Sequence, residues 1–76
     1  MIDWTEHTDV HGNVFLILGS ITLPELAEPF LFSVKPVPET GTWQLFSFLH
    51  QPPVHFPTYV DAMRELIPNY VEGMHA

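Results

Sequence analysis

Hydrophobic and polar residues alternate along the first part of the chain, which is the pattern of β-strands that have two different faces. Two such runs flank Gly12-Asn13, a pair that suits a two-residue type II′ hairpin turn. The second run is apolar on both faces, as in a strand that is covered on both sides. The pattern therefore predicts a first hairpin whose core face consists of Trp4, Val10, Phe15, Ile17 and Ile21.

A second hairpin is predicted between Phe30 and His50. Apolar residues alternate before and after the turn-rich stretch "PVPETGT" (residues 36–42). Pro36 and Pro38 have no N–H group for a ladder hydrogen bond, so this end of the strand must lie at an edge or in a loop. The prolines of "QPPVHFP" (residues 51–57) then predict a stiff, extended connection from the sheet to the last element.

The last element is a predicted helix that begins near Thr58. Thr58 and Asp61 have the spacing of a helix-capping pair, and apolar residues follow at helical intervals. Pro68 lies inside this periodic segment, so the helix must kink there or end and restart with "PNYVEGM" (residues 68–74). The stretch "TLPEL" (residues 22–26) has a similar capping signal, but Pro29 limits it to one turn.

These elements predict one small α+β domain that spans residues 1–76. Its expected architecture is a four-stranded antiparallel sheet from two hairpins (ββ-ββ-α), with the C-terminal helix packed on one face. A chain of this length buries about 60% of its unfolded surface and keeps only a few kcal/mol of net stability. Since there is no cysteine, no disulfide reinforces it. Self-association or docking on a larger partner would add stability.

The net charge of the chain indicates more about its function than any motif does. Nine Asp and Glu residues are set against Lys35 and Arg64, which gives a net charge of −7 with histidine neutral. Such a surface repels nucleic-acid phosphates and anionic membranes and attracts basic protein grooves. We therefore expect a protein partner with a basic surface, no direct nucleic-acid binding and no membrane binding, while a homodimer stays open. The simplest alternative is that the charge only keeps the chain soluble.

The N-terminal stretch "MIDWTEHTD" has no basic region followed by an apolar run, so it does not resemble a secretory signal. The longest apolar run, "VFLIL" (residues 14–18), is too short to cross a bilayer. A cytoplasmic location is the resulting expectation.

The alternation of His7, Asp9 and His11 raises the question of a metal site, because two histidines and a carboxylate form some iron and zinc sites. On one straight strand, however, residues four apart lie about 13 Å from each other, too far to share an ion. Further ligands could come only from histidines that the fold brings close: His50, His55 and His75. A small His-based metal-binding protein is thus a second alternative, and no residue is assigned as a metal ligand.

No catalytic constellation is visible. Ser20, Ser33 and Ser47 lie in predicted strands, outside any G-x-S-x-G elbow. The four glycines are dispersed, so they form no phosphate-binding loop. A chain this short would also struggle to enclose an ordinary ligand pocket. We expect a protein that is not an enzyme and that has no cofactor.

The preferred hypothesis is a small acidic protein-binding module that inhibits a basic nucleic-acid-handling protein as a decoy. Its carboxylates would imitate a phosphate track in the groove of the partner. Inhibitors made by phages and mobile elements, including anti-CRISPR and anti-restriction proteins, act in this way, and the chain is similar to them in size and charge. The alternative is a structural or accessory subunit of a homo-oligomer or larger assembly. The carboxylates predicted to contact the partner are Asp61, Glu65 and Glu72 on the helix, with Asp3, Glu6, Asp9, Glu25, Glu28 and Glu39 on strands and turns.

Overall fold

The computed structural model describes residues 1–73, which form a five-stranded antiparallel sheet with one helix packed against it. The strands lie side by side in chain order. They are β1 Ile2–Thr8, β2 Val14–Ile21, β3 Phe30–Val37, β4 Thr42–Ser47 and β5 His50–Phe56. The helix, α1, spans Tyr59–Leu66. The predicted α+β class with a C-terminal helix on the sheet is confirmed.

The prediction of four strands is wrong, because the proline-rich stretch expected to be a connection forms β5. This strand pairs antiparallel with β4, and Phe56 lies opposite Trp43. Pro52 and Pro53 have no N–H groups, and neither is paired in the ladder, which is irregular between Leu45 and Ser47 on β4. Prolines in that position also hinder the pairing of a further strand with this edge.

The first hairpin turns earlier than predicted. Its tip consists of Val10 and His11, and Gly12 follows at φ +82°. The Asp9 carboxylate accepts hydrogen bonds from the backbone N–H groups of His11 at 2.8 Å and Asn13 at 3.0 Å. This aspartate-centred turn outcompetes the two-residue turn at Gly12-Asn13. As a result Val10, which was predicted to be in the core, is 95% exposed.

The changed turn shifts the register of the first hairpin by two residues. Trp4 lies opposite Gly19, whereas a turn at Gly12-Asn13 would have placed it opposite Ile21, and the ladder is irregular between His7 and Thr8. Phe15, also predicted for the core, is about half exposed.

The core lies between α1 and one face of the sheet. Ser47 is buried in the same region. The buried hydrophobic residues come from β2, β3, β4, the helix and the segment after it: Ile17, Ile21, Phe32, Val34, Leu45, Ala62, Met63 and Tyr70. Since side chains alternate along a strand, the residues between these core positions lie on the opposite face of the sheet, which carries no helix.

The helix begins and ends at the predicted sequence signals. Thr58 is its N-cap, and the Thr58 hydroxyl accepts a hydrogen bond from the Asp61 N–H at 3.1 Å. The helix ends at Leu66, and Ile67 is extended, because the residue before a proline disfavours the helical conformation. Pro68 therefore ends the helix rather than kinking it, and no helix restarts within residues 68–73. Eight residues span about 12 Å, so α1 covers only part of its face.

Gly19 provides a test of the packing between the strands and the core. It lies opposite Phe32 on β3, and a Cβ atom at this position would overlap with the Phe32 ring and the Asp3 carbonyl oxygen. We expect Gly19→Ala to lower the free energy of unfolding by about 1–3 kcal/mol through overpacking. Urea denaturation followed by tryptophan fluorescence measures this. Ser20→Ala is the neighbouring control, and an unchanged stability of Gly19→Ala would contradict the packing.

Candidate functional site

The carboxylates fall into two groups that differ in their hydrogen bonding. One group accepts hydrogen bonds within the chain: Glu6, Asp9, Asp61 and Glu72. The other carboxylates are exposed and make no hydrogen bond within the described residues: Asp3, Glu25, Glu28, Glu39 and Glu65. The predicted contact residues are therefore not equivalent, since part of the acidic set stabilises the fold.

The carboxylates in loops lie at two different ends of the sheet. In an antiparallel sheet with strands in chain order, successive turns alternate between the ends. Asp9 and Glu39 lie in the β1–β2 and β3–β4 turns at one end, whereas Glu25 and Glu28 lie in the β2–β3 loop at the other. The structure does not bring these four residues together.

The solvent-facing part of α1 and the segment after it carry Asp61, Glu65 and Glu72, and we call this surface the acidic helix side. Asp61 and Glu65 are four residues apart, so they are neighbours on one side of the helix. Arg64 is the cation of α1, and its Nε donates to the Tyr70 carbonyl at 3.1 Å. Counting Arg64, the acidic helix side remains net negative.

Glu6 is half-buried and joins β1 to the segment after the helix. Its Oε2 accepts a hydrogen bond from the Tyr70 hydroxyl at 2.6 Å and one from Trp4 Nε1 at 3.2 Å. The Trp4 and Tyr70 rings meet edge to face, with centroids 6.0 Å apart. Tyr70 is fully buried. Glu6 therefore holds the C-terminal segment on the sheet, in addition to contributing charge.

Two tyrosines lie in this negative environment. Tyr59 donates its hydroxyl hydrogen bond to Glu72 at 3.0 Å. Burial, the bond to Glu72 and the charges of Glu72 and Glu6 raise the pKa of Tyr59 to about 12. Burial and the hydrogen bond to Glu6 raise the pKa of Tyr70 well above its ordinary value. Both phenols are thereby kept protonated as donors to carboxylates.

A serine–histidine pair, which the sequence did not indicate, lies at the β4–β5 turn. Ser47 Oγ is 2.6 Å from His50 Nδ1 and accepts a hydrogen bond from the Leu49 N–H at 3.1 Å. A nucleophilic serine needs such a neighbouring base, but Ser47 is only 1% exposed. The pair therefore closes the turn, with the serine hydroxyl buried. The one sequence feature that could have indicated this pair is the spacing of three residues between the serine and the histidine across a short turn.

The histidines are spread over the structure. Within residues 1–73, no group of three or more His, Asp or Glu side chains is arranged to hold a metal ion. The His7 ring packs against Phe15 with centroids 6.3 Å apart, and His55 Nδ1 lies 2.9 Å from Thr42 Oγ1. His11 is in the first turn, and His75 lies outside the described residues.

The sheet face opposite the helix is a second candidate surface, which we call the bare face. Leu18, Ser33 and Phe46 form one row on it, because Leu18 pairs with Ser33 and Ser33 pairs with Phe46. Leu18, Leu31 and Phe46 are exposed by 45%, 75% and 43%. Beside Leu18 and Leu31 lies an open groove of about 420 Å³, which is also lined by Asp3, Thr5 and Ser20.

The two surfaces differ in charge. Among the described strand residues on the bare face, Asp3 is the one carboxylate. Lys35 also lies on this face, opposite Gln44. The bare face thus carries an exposed apolar cluster among polar residues, with Asp3 and Lys35 as its charged residues, whereas most of the acidic residues lie on the helix side and in the loops.

The fold and these surfaces define a small α+β domain with an acidic helix side and an exposed apolar cluster on the opposite sheet face. Comparison of the chain with protein-family models, with curated proteins and with solved structures finds no match. Within residues 1–73, no helix has the length and apolar character that crossing a membrane requires. The residues of the chain itself must therefore carry the functional argument.

Alkaline pH tests the contact between Glu6 and Tyr70. The Tyr70 pKa is raised in the folded state, whereas an unfolded tyrosine titrates near about 10. The unfolded chain therefore loses phenolic protons first. The contribution of Tyr70 to the free energy of unfolding should be fully present below about pH 10 and should fall as pH rises above it. Urea denaturation at several pH values, with tyrosinate absorbance as a second signal, measures this. Tyr70→Phe should show a shallower loss, and an equal loss in both proteins would contradict the account.

Ser47→Ala tests whether the serine–histidine pair is structural. Removing the hydroxyl leaves the Leu49 N–H without its partner, so we expect a loss of about 1–2 kcal/mol in the free energy of unfolding. Ser33→Ala, in a neighbouring strand, is the control. A fluorophosphonate reagent should not label the native protein, and covalent labelling of Ser47 would contradict a structural role.

Proposed function

We propose that this chain is a non-catalytic protein-binding module that docks on a basic partner protein through the acidic helix side. The observation that carries the proposal is the imbalance of charge. The chain has a net charge of −7. Of its two cations, Arg64 is bonded to the Tyr70 carbonyl and Lys35 lies on the bare face. A basic partner therefore meets a surface whose negative charge is offset by few cations of the chain itself.

The helix itself supports this proposal. Asp61 and Glu65 are like charges four residues apart on an eight-residue helix, an arrangement that costs a few tenths of a kcal/mol in isolated helices. A lysine at position 65 would remove that cost and would form a favourable pair with Asp61. Keeping a carboxylate there suits a surface that recognises positive charge. The loop carboxylates at the ends of the sheet add to the long-range field that steers such a partner.

The partner class we propose is a nucleic-acid-handling protein. A groove that binds phosphates has a high density of lysine and arginine and is complementary to an acidic helix side. If docking covers that groove, the chain acts as an inhibitor or decoy, as anti-CRISPR and anti-restriction proteins do. A cytoplasmic setting belongs to the same proposal. A subunit of a homo-oligomer, the alternative, would use a different surface, the bare face.

Matched charge reversals test the proposal. Glu65→Lys and Glu39→Lys both change the net charge from −7 to −5 (−7 + 2), and both residues are exposed, but only Glu65 lies on the acidic helix side. The immobilised chain captures proteins from a lysate at about 50 mM salt. The affinity of each purified partner for the native chain and the two variants is then measured.

We expect a basic partner whose binding falls at least about tenfold with Glu65→Lys and changes little with Glu39→Lys. Raising the salt to about 200 mM should weaken binding, and the nucleic acid of the partner should compete with the chain. Equal effects of the two reversals, or binding that does not respond to salt, would refute docking through the acidic helix side.

A further inference from the structure

The bare face has the composition of an interface. On a sheet with one face in water, residues on the wet face are ordinarily polar. Here Leu18, Leu31 and Phe46 project from three adjacent strands and are exposed by 45%, 75% and 43%. Clustered apolar residues on the surface of a small protein mark a binding site more often than isolated ones do. We propose that this face is the contact between two copies of the chain, packed sheet against sheet.

Charge favours a second copy as the occupant. Two copies that approach through their acidic helix sides bring Asp61, Glu65 and Glu72 against the same residues, and they repel each other. The central row of the bare face, which runs through Leu18 and Phe46, has no charged residue. A strongly basic partner gains little from this row, whereas a second copy can bury its apolar residues there. Asp3 and Lys35 lie on the same face but outside the central row.

The register gives the bare face the self-complementary shape that a two-fold dimer needs. Leu18 and Phe46 lie at equivalent positions on either side of Ser33. A two-fold axis that runs along β3, between the two sheets, therefore places each Phe46 ring against Leu18 of the other copy. The groove of about 420 Å³ lies beside Leu18 and provides space for that ring. Ser33 is small and leaves the centre of the contact open.

The same axis brings Leu31 of one copy against Leu31 of the other, because both belong to β3. Lys35 is on β3 as well, two residues from Ser33 on the side away from Leu31, so the axis also brings the two Lys35 side chains toward each other. Their length allows the ammonium groups to point apart and into water. The two sheets would pack about 10 Å apart, with their strands roughly aligned.

The available area is sufficient for a reversible dimer. Five strands spaced about 4.8 Å apart, each with about six residues in contact, give a face of roughly 500 Å². Two such faces bury roughly 1,000 Å² in total, which is near the lower limit for specific interfaces. We therefore expect a dissociation constant on the order of micromolar. Both acidic helix sides remain on the outside of the dimer, so this inference is independent of the proposed function.

Analytical ultracentrifugation of the native chain over about 1–300 µM tests the dimer. Leu31→Glu places two carboxylates across the two-fold axis and should raise the dissociation constant at least about 100-fold. Val71→Glu is the matched control. Val71 is an apolar residue that is 61% exposed and follows α1 outside the bare face. This variant should dimerise as the native chain does.

A charge-pair experiment tests the position of the axis. Leu31→Glu and Leu31→Lys should each be monomeric, and an equimolar mixture should form a heterodimer, because the opposite charges then face each other. Circular dichroism verifies the folding of each variant. If Leu31→Glu is unfolded, Leu18→Thr removes apolar surface without adding charge and should weaken the dimer about tenfold.

Three results would overturn the inference. One is a native chain that stays monomeric up to the highest concentration. Another is an equal loss of dimer in Val71→Glu and Leu31→Glu, which would place the contact elsewhere. The third is a mixture of Leu31→Glu and Leu31→Lys that does not associate, which would exclude the proposed axis.

Discussion

The structure depends on the packing of one short helix against one face of a wide sheet. The helix has eight residues and is about 12 Å long, whereas five strands span about 19 Å from the first to the last. The helix therefore cannot cover its own face completely, and nothing in the described chain covers the other. The buried core is confined to a single layer between Ile17, Val34 and Leu45 on the sheet and Ala62 and Met63 on the helix.

The segment after the helix extends the cover over the sheet, and charged residues hold it there. Tyr70 is fully buried and is tied to Glu6 through its hydroxyl group and to Arg64 through its carbonyl oxygen. In this protein a carboxylate such as Glu6 is therefore part of the structure, while Glu65 has no hydrogen bond in the described chain. The Glu6 carboxylate thus stabilises the C-terminal segment, whereas the Glu65 carboxylate remains available for a partner.

Local signals in the sequence predicted both ends of the helix, whereas β5 and the first turn were not predicted. The start of the helix at Thr58 and its end before Pro68 follow from capping and proline chemistry acting within a few residues. The strand β5 was missed because prolines mark an edge strand and a loop in the same way. The first turn was missed because the Asp9 side chain competes with a glycine-based turn.

The acidic candidate residues were identified by residue type alone. The sequence could not distinguish carboxylates that accept hydrogen bonds within the described chain from those that do not. Glu6 and Tyr70 are 64 residues apart, and no periodicity connects them. The sequence also did not predict the bare face. The second strand was predicted to be covered on both sides, and only the fold shows that the helix covers one. Leu18 and Phe46 become neighbours in one row through the register of three strands.

In the isolated chain, one face of the sheet is covered and the other is open. Methyl NMR with a soluble paramagnetic agent, at a concentration low enough for monomers, distinguishes the two faces. We expect strong broadening of the Leu18 and Leu31 methyl signals and protection of the Ile17 and Val34 methyls. Equal protection of all four residues, or stronger broadening of Ile17 and Val34, would contradict it.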